Sequence, residues 1–312
     1  MSQFKLNLDS LLESHRSRPG IVTTKRLHFL GLSGAVDVYN ISRAFTWRGQ
    51  EYIAGRVEPR DSELSSVRFF KRVGIDLYEA LPLTLNNLQD PCVAFIDGFL
   101  LVGGTEIYPD ESGRITSWRT VYYKGQSLDD LQPVIYAPMQ MKDVRLAQCG
   151  RYYVMSRPQG GNAKWGKIGF TTSPDLSGIT AELIEKAPLI EDLFDDDHWG
   201  GANQIHCLKN GWLGILGHVA RMSEGYVRHY YGMTFALNPK TLEHTPVKII
   251  CERADFAPGA AKRPDLTDVV FVGGLVRHKN KTATLYTGLS DAEAHYAVIE
   301  DPFLEYEELP SK

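Results

Sequence analysis

The chain has 312 residues, of which 43% are apolar and 23% charged, the make-up of a globular protein able to bury a substantial core. A formal net charge of −4 and a pI near 6.2 give no basic footprint for nucleic acid. No run approaches the roughly 18 uninterrupted apolar residues of a transmembrane helix, and the first residues lack the apolar stretch of a signal peptide, so a cytoplasmic location is expected.

In chain order, a short helix is expected over Leu8–His15, and the sequence then turns to hairpins. Residues 45–56, 94–104, 147–157, 207–217 and 275–288 each read as two apolar strands around a tight turn, with the turns at Gly49, Gly98, Gly150, Gly211 and Asn280. Gly and Asn supply the positive φ that such turns need. Each hairpin is followed by a third strand, at 65–72, 118–125, 167–174, 229–237 and 295–301, and a second short helix is expected over Leu183–Lys186. The turns lie 49, 52, 61 and 69 residues apart, too irregular for a solenoid and suited to sheets with loops of variable length. The predicted fold is all-β: a single five-bladed β-propeller over residues 1–312 with long inter-strand loops, residues 1–20 forming an N-terminal extension.

In a propeller the innermost strands start at one mouth of a central channel. Eight residues before the first four turns stand Ile41, Asp90, Lys142 and Asn203, with Asn40, Asp143 and Gln204 beside them; the fifth repeat opens on Asp268. The ends of the second strands add Arg56, Arg157 and His218. Taken singly, an Asp at a strand start is more often a loop cap; taken in register, these polar groups make a site. Asp90 is an isolated acid among cations and amides. A glycoside hydrolase ordinarily works with two carboxylates, so the set points instead to an anion such as phosphate as second reactant.

The residues also carry a resemblance. Gln89-Asp90-Pro91-Cys92 with Ile96-Asp97-Gly98, Lys142-Asp143-Val144, Gly150 through Arg157-Pro158, Gly211-Trp212-Leu213, His218, Tyr230-Tyr231-Gly232 and Thr267-Asp268-Val269-Val270-Phe271 resemble the motifs of the β-mannoside phosphorylases of glycoside hydrolase family 130. The closer match is the related mannosyltransferase/phosphorylases of glycosyltransferase family 108. The resemblance implies a five-bladed propeller that reversibly transfers mannose, with inversion, between mannose-1-phosphate or GDP-mannose and β-1,2-mannooligosaccharides, needing no cofactor and no metal. By position it implies Asp90 as sole general acid/base, relayed through the sugar 3-hydroxyl; Arg56, Lys142, Arg157, His218 and Tyr230 as phosphate ligands; and Asn40, Asn203 and Asp268 as substrate ligands. The partners implied are β-1,2-mannooligosaccharides, mannose-1-phosphate, inorganic phosphate and GDP-mannose, with no nucleic acid and no membrane. Two departures stand out: Cys92 replaces the family's Arg, with Arg145 a candidate substitute, and His218 is shifted by one position, which leaves His206 and His229 as alternatives.

The remaining features read as structural. Cys92, Cys149, Cys207 and Cys251 form no CxxC pair and are expected as free thiols, and the sequons at Asn40 and Asn280 read as chance. The acidic run Glu191–His198 reads as a solvated loop, or as part of the acceptor side, rather than a metal site. Trp199 fits a sugar platform and core packing equally well. Gly160-Gly161 matches no phosphate loop. The rival functions are a β-mannosidase-type hydrolase, with Asp268 or Asp143 as second carboxylate, and a non-catalytic glycan-binding propeller.

Overall fold

The structure is a computed structural model that describes residues 7–18 and 20–311. Strands hold 51% of the residues and helix 11%, and no helix among the described residues is long and apolar enough to cross a membrane.

Antiparallel meanders follow one another along the chain. The first joins Asp37–Tyr39, Gln50–Glu58, Ser66–Gly74 and Leu77–Asn86. The second joins Leu88–Ile96, Phe99–Pro109, Ile115–Gly125 and Gln132–Tyr136. The third is shorter, with Arg145–Gln148, Tyr152–Ser156 and Gly169–Ser173. The fourth joins Trp199–Cys207, Leu213–Met222, Arg228–Leu237 and Lys248–Cys251. The fifth joins Asp268–Arg277, Thr282–Leu289 and Glu293–Glu300, and its outer strand is Ile21–Arg26, brought from the other end of the chain. Gly49, Gly98, Gly150 and Gly211 hold the expected positive φ. At the last hairpin the positive φ falls on Lys281, while Asn280 accepts hydrogen bonds from the Thr282 hydroxyl and amide in an Asx turn.

Each meander has two apolar faces, and each face meets a neighbour. One buried cluster joins the first and second meanders through Phe69, Leu88 and Val102. Others join the second and third through Leu101, Tyr122 and Val154, the third and fourth through Met155, Phe170 and Phe235, and the fourth and fifth through Leu216, Val272 and Leu285. A further cluster joins the fifth back to the first through Tyr286, Ala294 and Ile53. Helix Leu8–Ser17, capped by the Asn7 side chain, buries Leu8 and Leu12 between the third and fourth meanders and pairs Arg16 with Glu252 and His15 with Asp255. The second helix is Ala181–Glu185.

Cysteine chemistry differs from the expectation. Cys149 and Cys207 form a disulfide, with Cα atoms 5.8 Å apart, because the third and fourth meanders bring the 149–150 turn beside the end of Trp199–Cys207. Cys92 and Cys251 are free and buried, as expected.

The closure between the fifth and first meanders is tight at backbone level. A Cβ on Gly273 would overlap the Ile41 carbonyl, and one on Gly288 would overlap Asn40. Only glycine lets the 40–41 segment seat there. Gly273→Ala is therefore expected to destabilise the protein by about 2–3 kcal/mol or more, seen as a lowered midpoint of thermal unfolding; an unchanged midpoint contradicts this account of the closure.

Candidate active site

A cavity of about 250 Å³ opens where the meanders converge. Asn40, Arg56, Asp90, Lys142, Arg157, His218 and Tyr230, all expected from the sequence, line it together with Glu63, Arg228, Arg263 and Asp291, which were not.

Asp90 stands at an irregularity in strand Leu88–Ile96, where the register shifts between Gln89 and Cys92 and its own φ is +50°. Bulges of this kind re-aim a side chain, and Asp tolerates the left-handed region better than most residues. Its Oδ1 accepts from Asn40 Nδ2 at 2.8 Å and lies 3.4 Å from Arg56 Nη1. Arg56 is fully committed: its guanidinium also donates to Glu58 at 2.9 and 3.0 Å and to Glu63 at 2.9 Å. Glu58 in turn takes the Lys262 ammonium and the Tyr39 hydroxyl. Arg56 thus arrives already neutralised and holds Asp90 in place.

A second buried cluster forms the adjoining wall. Asp143, also in the left-handed region, pairs with Arg157 at 3.1 Å and Arg145 at 3.4 Å. Burial alone would raise its pKa, but the two guanidiniums prevail and hold the carboxyl well below the usual carboxylate range. His218 lines the cavity although almost wholly buried, its Nδ1 2.8 Å from Asn203 Oδ1. Burial pushes its pKa down to about 3, Asp143 opposing and the cations Arg157, Lys142 and Arg145 reinforcing, so the imidazole is neutral at physiological pH. Gly201, paired across the sheet with His218, makes this convergence possible: a Cβ there would crowd Arg157 Cδ at 2.9 Å and His218 Cε1 at 3.0 Å. Tyr230 stacks on His218 with ring centres 5.5 Å apart, and its hydroxyl accepts from Trp199 Nε1 at 2.9 Å. Trp199 is buried.

Lys142 differs from the other cations. Arg56, Arg157, Arg228 and Arg263 each pair with a carboxylate, whereas the Lys142 ammonium makes no hydrogen bond or ion pair among the described residues. An unpaired cation on a polar cavity wall is suited to an anionic ligand.

Two expected residues fall elsewhere. Asn203 sits one layer back and orients His218. Asp268 does not line the cavity; it bonds His229 Nδ1 at 2.6 Å and faces the Tyr231 hydroxyl. This occupies both Asp268 and His229, and His206 is half-buried and packed on Phe303, so neither alternative histidine lines the cavity. Arg145, the candidate substitute for the missing Arg at Cys92, is buried in bonds to Asp143 and to the Asn203 and Val144 carbonyls. Asp291 is the main residue the sequence reading missed. It stands just beyond strand Thr282–Leu289, in the turn that leads to Glu293–Glu300.

The sequence family described as "Protein of unknown function (DUF1861)" matches residues 13–305. A search of curated proteins finds no match. Among solved structures, a mannose phosphorylase from Leishmania mexicana, in complex with phosphate ion, is 32% identical with a TM-score of 0.89, covering 96% of this chain and 94% of its own. The chain belongs to this mannosyltransferase/phosphorylase family. A GDP-Man-dependent mannosyltransferase from the same organism is 29% identical, with a TM-score of 0.86 and coverage of 95% and 96%. A β-1,2-mannobiose phosphorylase from Listeria innocua, at 16% identity, TM-score 0.64 and coverage of 89% and 94%, shares the fold.

Asp291 gives the site a measurable pH signature. Burial raises its pKa from 3.8 to about 6, with Arg56 opposing and Asp90 adding to the rise. A raised folded-state pKa means that the native state binds the proton more tightly. Its stabilising contribution is full below about pH 4 and is lost as pH climbs through about 6. Asp291→Asn, which keeps shape and tolerates φ +51°, is expected to stabilise the protein at pH 7 by on the order of 1–3 kcal/mol and to flatten the pH dependence between those limits. Chemical denaturation at pH 4, 5, 6 and 7 measures both; parallel curves for the two proteins contradict the assignment.

Proposed function

We propose that the protein is an inverting mannosyltransferase/phosphorylase built as a single five-bladed propeller, transferring mannose reversibly between mannose-1-phosphate and β-1,2-mannooligosaccharides, with GDP-mannose as an alternative donor. Family membership makes it an enzyme acting on sugars. The observation that carries the finer reading is the pairing, in one cavity, of a positioned carboxylate with an unpaired ammonium. Asp90 is held by Asn40 and Arg56, while Lys142 stands free beside His218 and Tyr230. The succession of face-packed meanders, returning from the fifth to the first, supports the propeller.

In the degradative direction a phosphate oxygen forms the new bond to the anomeric carbon as the glycosidic C–O bond breaks, and Asp90, protonated, delivers its proton towards the leaving oxygen through the sugar 3-hydroxyl. In synthesis the same carboxylate accepts the acceptor's proton as phosphate departs. Lys142, Tyr230 and His218 receive the phosphoryl group. Arg56 and Arg157 act on it through the carboxylates they orient, since their charge is already matched. Asp291, protonated at mildly acidic pH, is fitted to hydrogen-bond sugar hydroxyls.

Asp291 also favours a second reading. It supplies the additional carboxylate an inverting hydrolase needs, in place of Asp268 and Asp143, one of which is outside the cavity and the other locked between guanidiniums. Phosphate dependence separates the two: a hydrolase releases free mannose at a rate independent of phosphate.

Asp90→Asn is expected to lower phosphorolysis and synthesis together, by about 10²–10⁴-fold, while mannobiose binding survives. Unequal losses in the two directions count against a shared acid/base. Lys142→Met is expected to raise the KM for phosphate and for mannose-1-phosphate by about tenfold or more with little change in the dissociation constant of neutral mannobiose. Equal weakening of neutral and anionic ligands removes Lys142 from the anion site.

A further inference from the structure

Trp165 is 62% exposed, an unusual position for the largest apolar side chain of a loop otherwise made of small and polar residues. Loop 159–166 is not slack. Gln159 Nε2 donates to the Trp165 carbonyl at 3.1 Å, Gly160 N donates to the Lys164 carbonyl at 2.8 Å, and the Gly166 carbonyl accepts from Gly200 N at 3.2 Å. Lys164 and Lys167 both reach Asp196, tying this loop to the acidic one across from it. Gly166, at φ +139°, lies directly against the Arg157 guanidinium, where a Cβ would approach Nε at 2.8 Å. Arg157 lines the cavity. The Trp165 ring also borders Trp199, with centres 6.3 Å apart, and Trp199 is hydrogen-bonded to the cavity residue Tyr230. The indole is therefore held next to groups that touch the cavity lining, Trp199 on Tyr230 and Gly166 on Arg157, with most of its own surface left to solvent.

We propose that Trp165 is the platform on which the sugar chain rests as it leaves the cavity, so that it sets preference for acceptors longer than a monosaccharide. An inverting cavity of about 250 Å³ has room for the reacting residue and little more, so an oligosaccharide must continue across the rim. The axial C–H face of a pyranose is apolar, and a flat indole matches it without demanding a charge. The proposed anion-binding wall is distinct in chemistry: its groups are Lys142, His218 and Tyr230, whereas Trp165 offers an aromatic surface beside an acidic loop, Lys164 and Lys167 facing Asp196, which Asp195 and Asp197 flank. This selects a neutral glycan over a second phosphate or a nucleotide as occupant. Burying one such ring face is comparable to burying a modest apolar side chain, an effect of about tenfold in binding.

The proposal rests on the mannosyl-transfer reading, and the test separates the two. Trp165→Ala and Trp165→Phe are compared with the native protein using mannose and β-1,2-mannotriose as acceptors with mannose-1-phosphate as donor, alongside titration of tryptophan fluorescence with mannotriose. For Trp165→Ala the KM for mannotriose is expected to rise about tenfold with kcat and the KM for mannose-1-phosphate unchanged and mannose as acceptor unaffected. Trp165→Phe is expected to recover most of the loss, and native fluorescence to respond to mannotriose with the response missing in Trp165→Ala. Equal kinetics of native and Trp165→Ala proteins on mannotriose overturn the platform while leaving the transferase reading intact. If the native protein transfers to neither acceptor, the transferase reading fails; a fluorescence response to mannotriose that Trp165→Ala lacks then still identifies the platform, and no response overturns it too.

Discussion

Matching of buried charge governs this molecule. Taking a guanidinium or carboxylate out of water is expensive unless it is paired and hydrogen-bonded, and the cavity walls contain many of both. Arg56 is shared by Glu58, Glu63 and Asp90, and Asp143 by Arg145 and Arg157. The first cluster is completed only when Asp90 of the second meander meets Arg56 of the first, whereas the second is assembled within the third meander itself. Removing one member leaves the others buried and uncompensated, a cost of about 3–5 kcal/mol in comparable sites. Lys142 stands out against this background: its neighbours are neutralised, while its ammonium has no paired carboxylate among the described residues, the feature on which the proposed anion site rests.

The same matching separates orientation from chemistry. Asp90 projects from a distorted strand with an unfavourable φ, a conformation that surrounding structure must over-determine. Asn40 and Arg56 do this from the first meander, and Asn40 is itself seated by Gly288 of the fifth. A carboxylate of the second meander is therefore placed by contacts from two others. His218 is handled in parallel, its ring fixed by Asn203 and Tyr230 and kept neutral by burial.

Much of this was legible in the sequence because hairpins leave strong local marks. Glycine at positive φ announced four turns, and counting from those turns reached Asp90 and Lys142. Asn280 misled by one residue, since an Asx turn places the left-handed conformation after the asparagine. Asp268 misled for another reason: a strand start shows where a backbone begins, but His229 on the neighbouring strand claimed its side chain. Asp291 escaped the spacing that reached Arg56, Arg157 and His218, because it lies farther beyond its hairpin turn than they do, in the turn after the second strand. Glu63, Arg228 and Arg263 come from loops and strand ends without periodicity, and the disulfide depended on two meanders meeting.

The outer strand of the fifth meander comes from Ile21–Arg26 and pairs with Glu293–Glu300. During synthesis, the first of the described strands to emerge must therefore wait for the last of them before it has a partner. Until then the nascent chain carries an open sheet edge at each end, and the contact of the 40–41 segment with Gly273 and Gly288 cannot form. Each released chain thus closes in a late, long-range step, the kind that loop-closure entropy makes slow. A ribosome that stalls in the last meander leaves a chain whose earlier sheets can fold but whose Asp90 carboxylate has not yet been set.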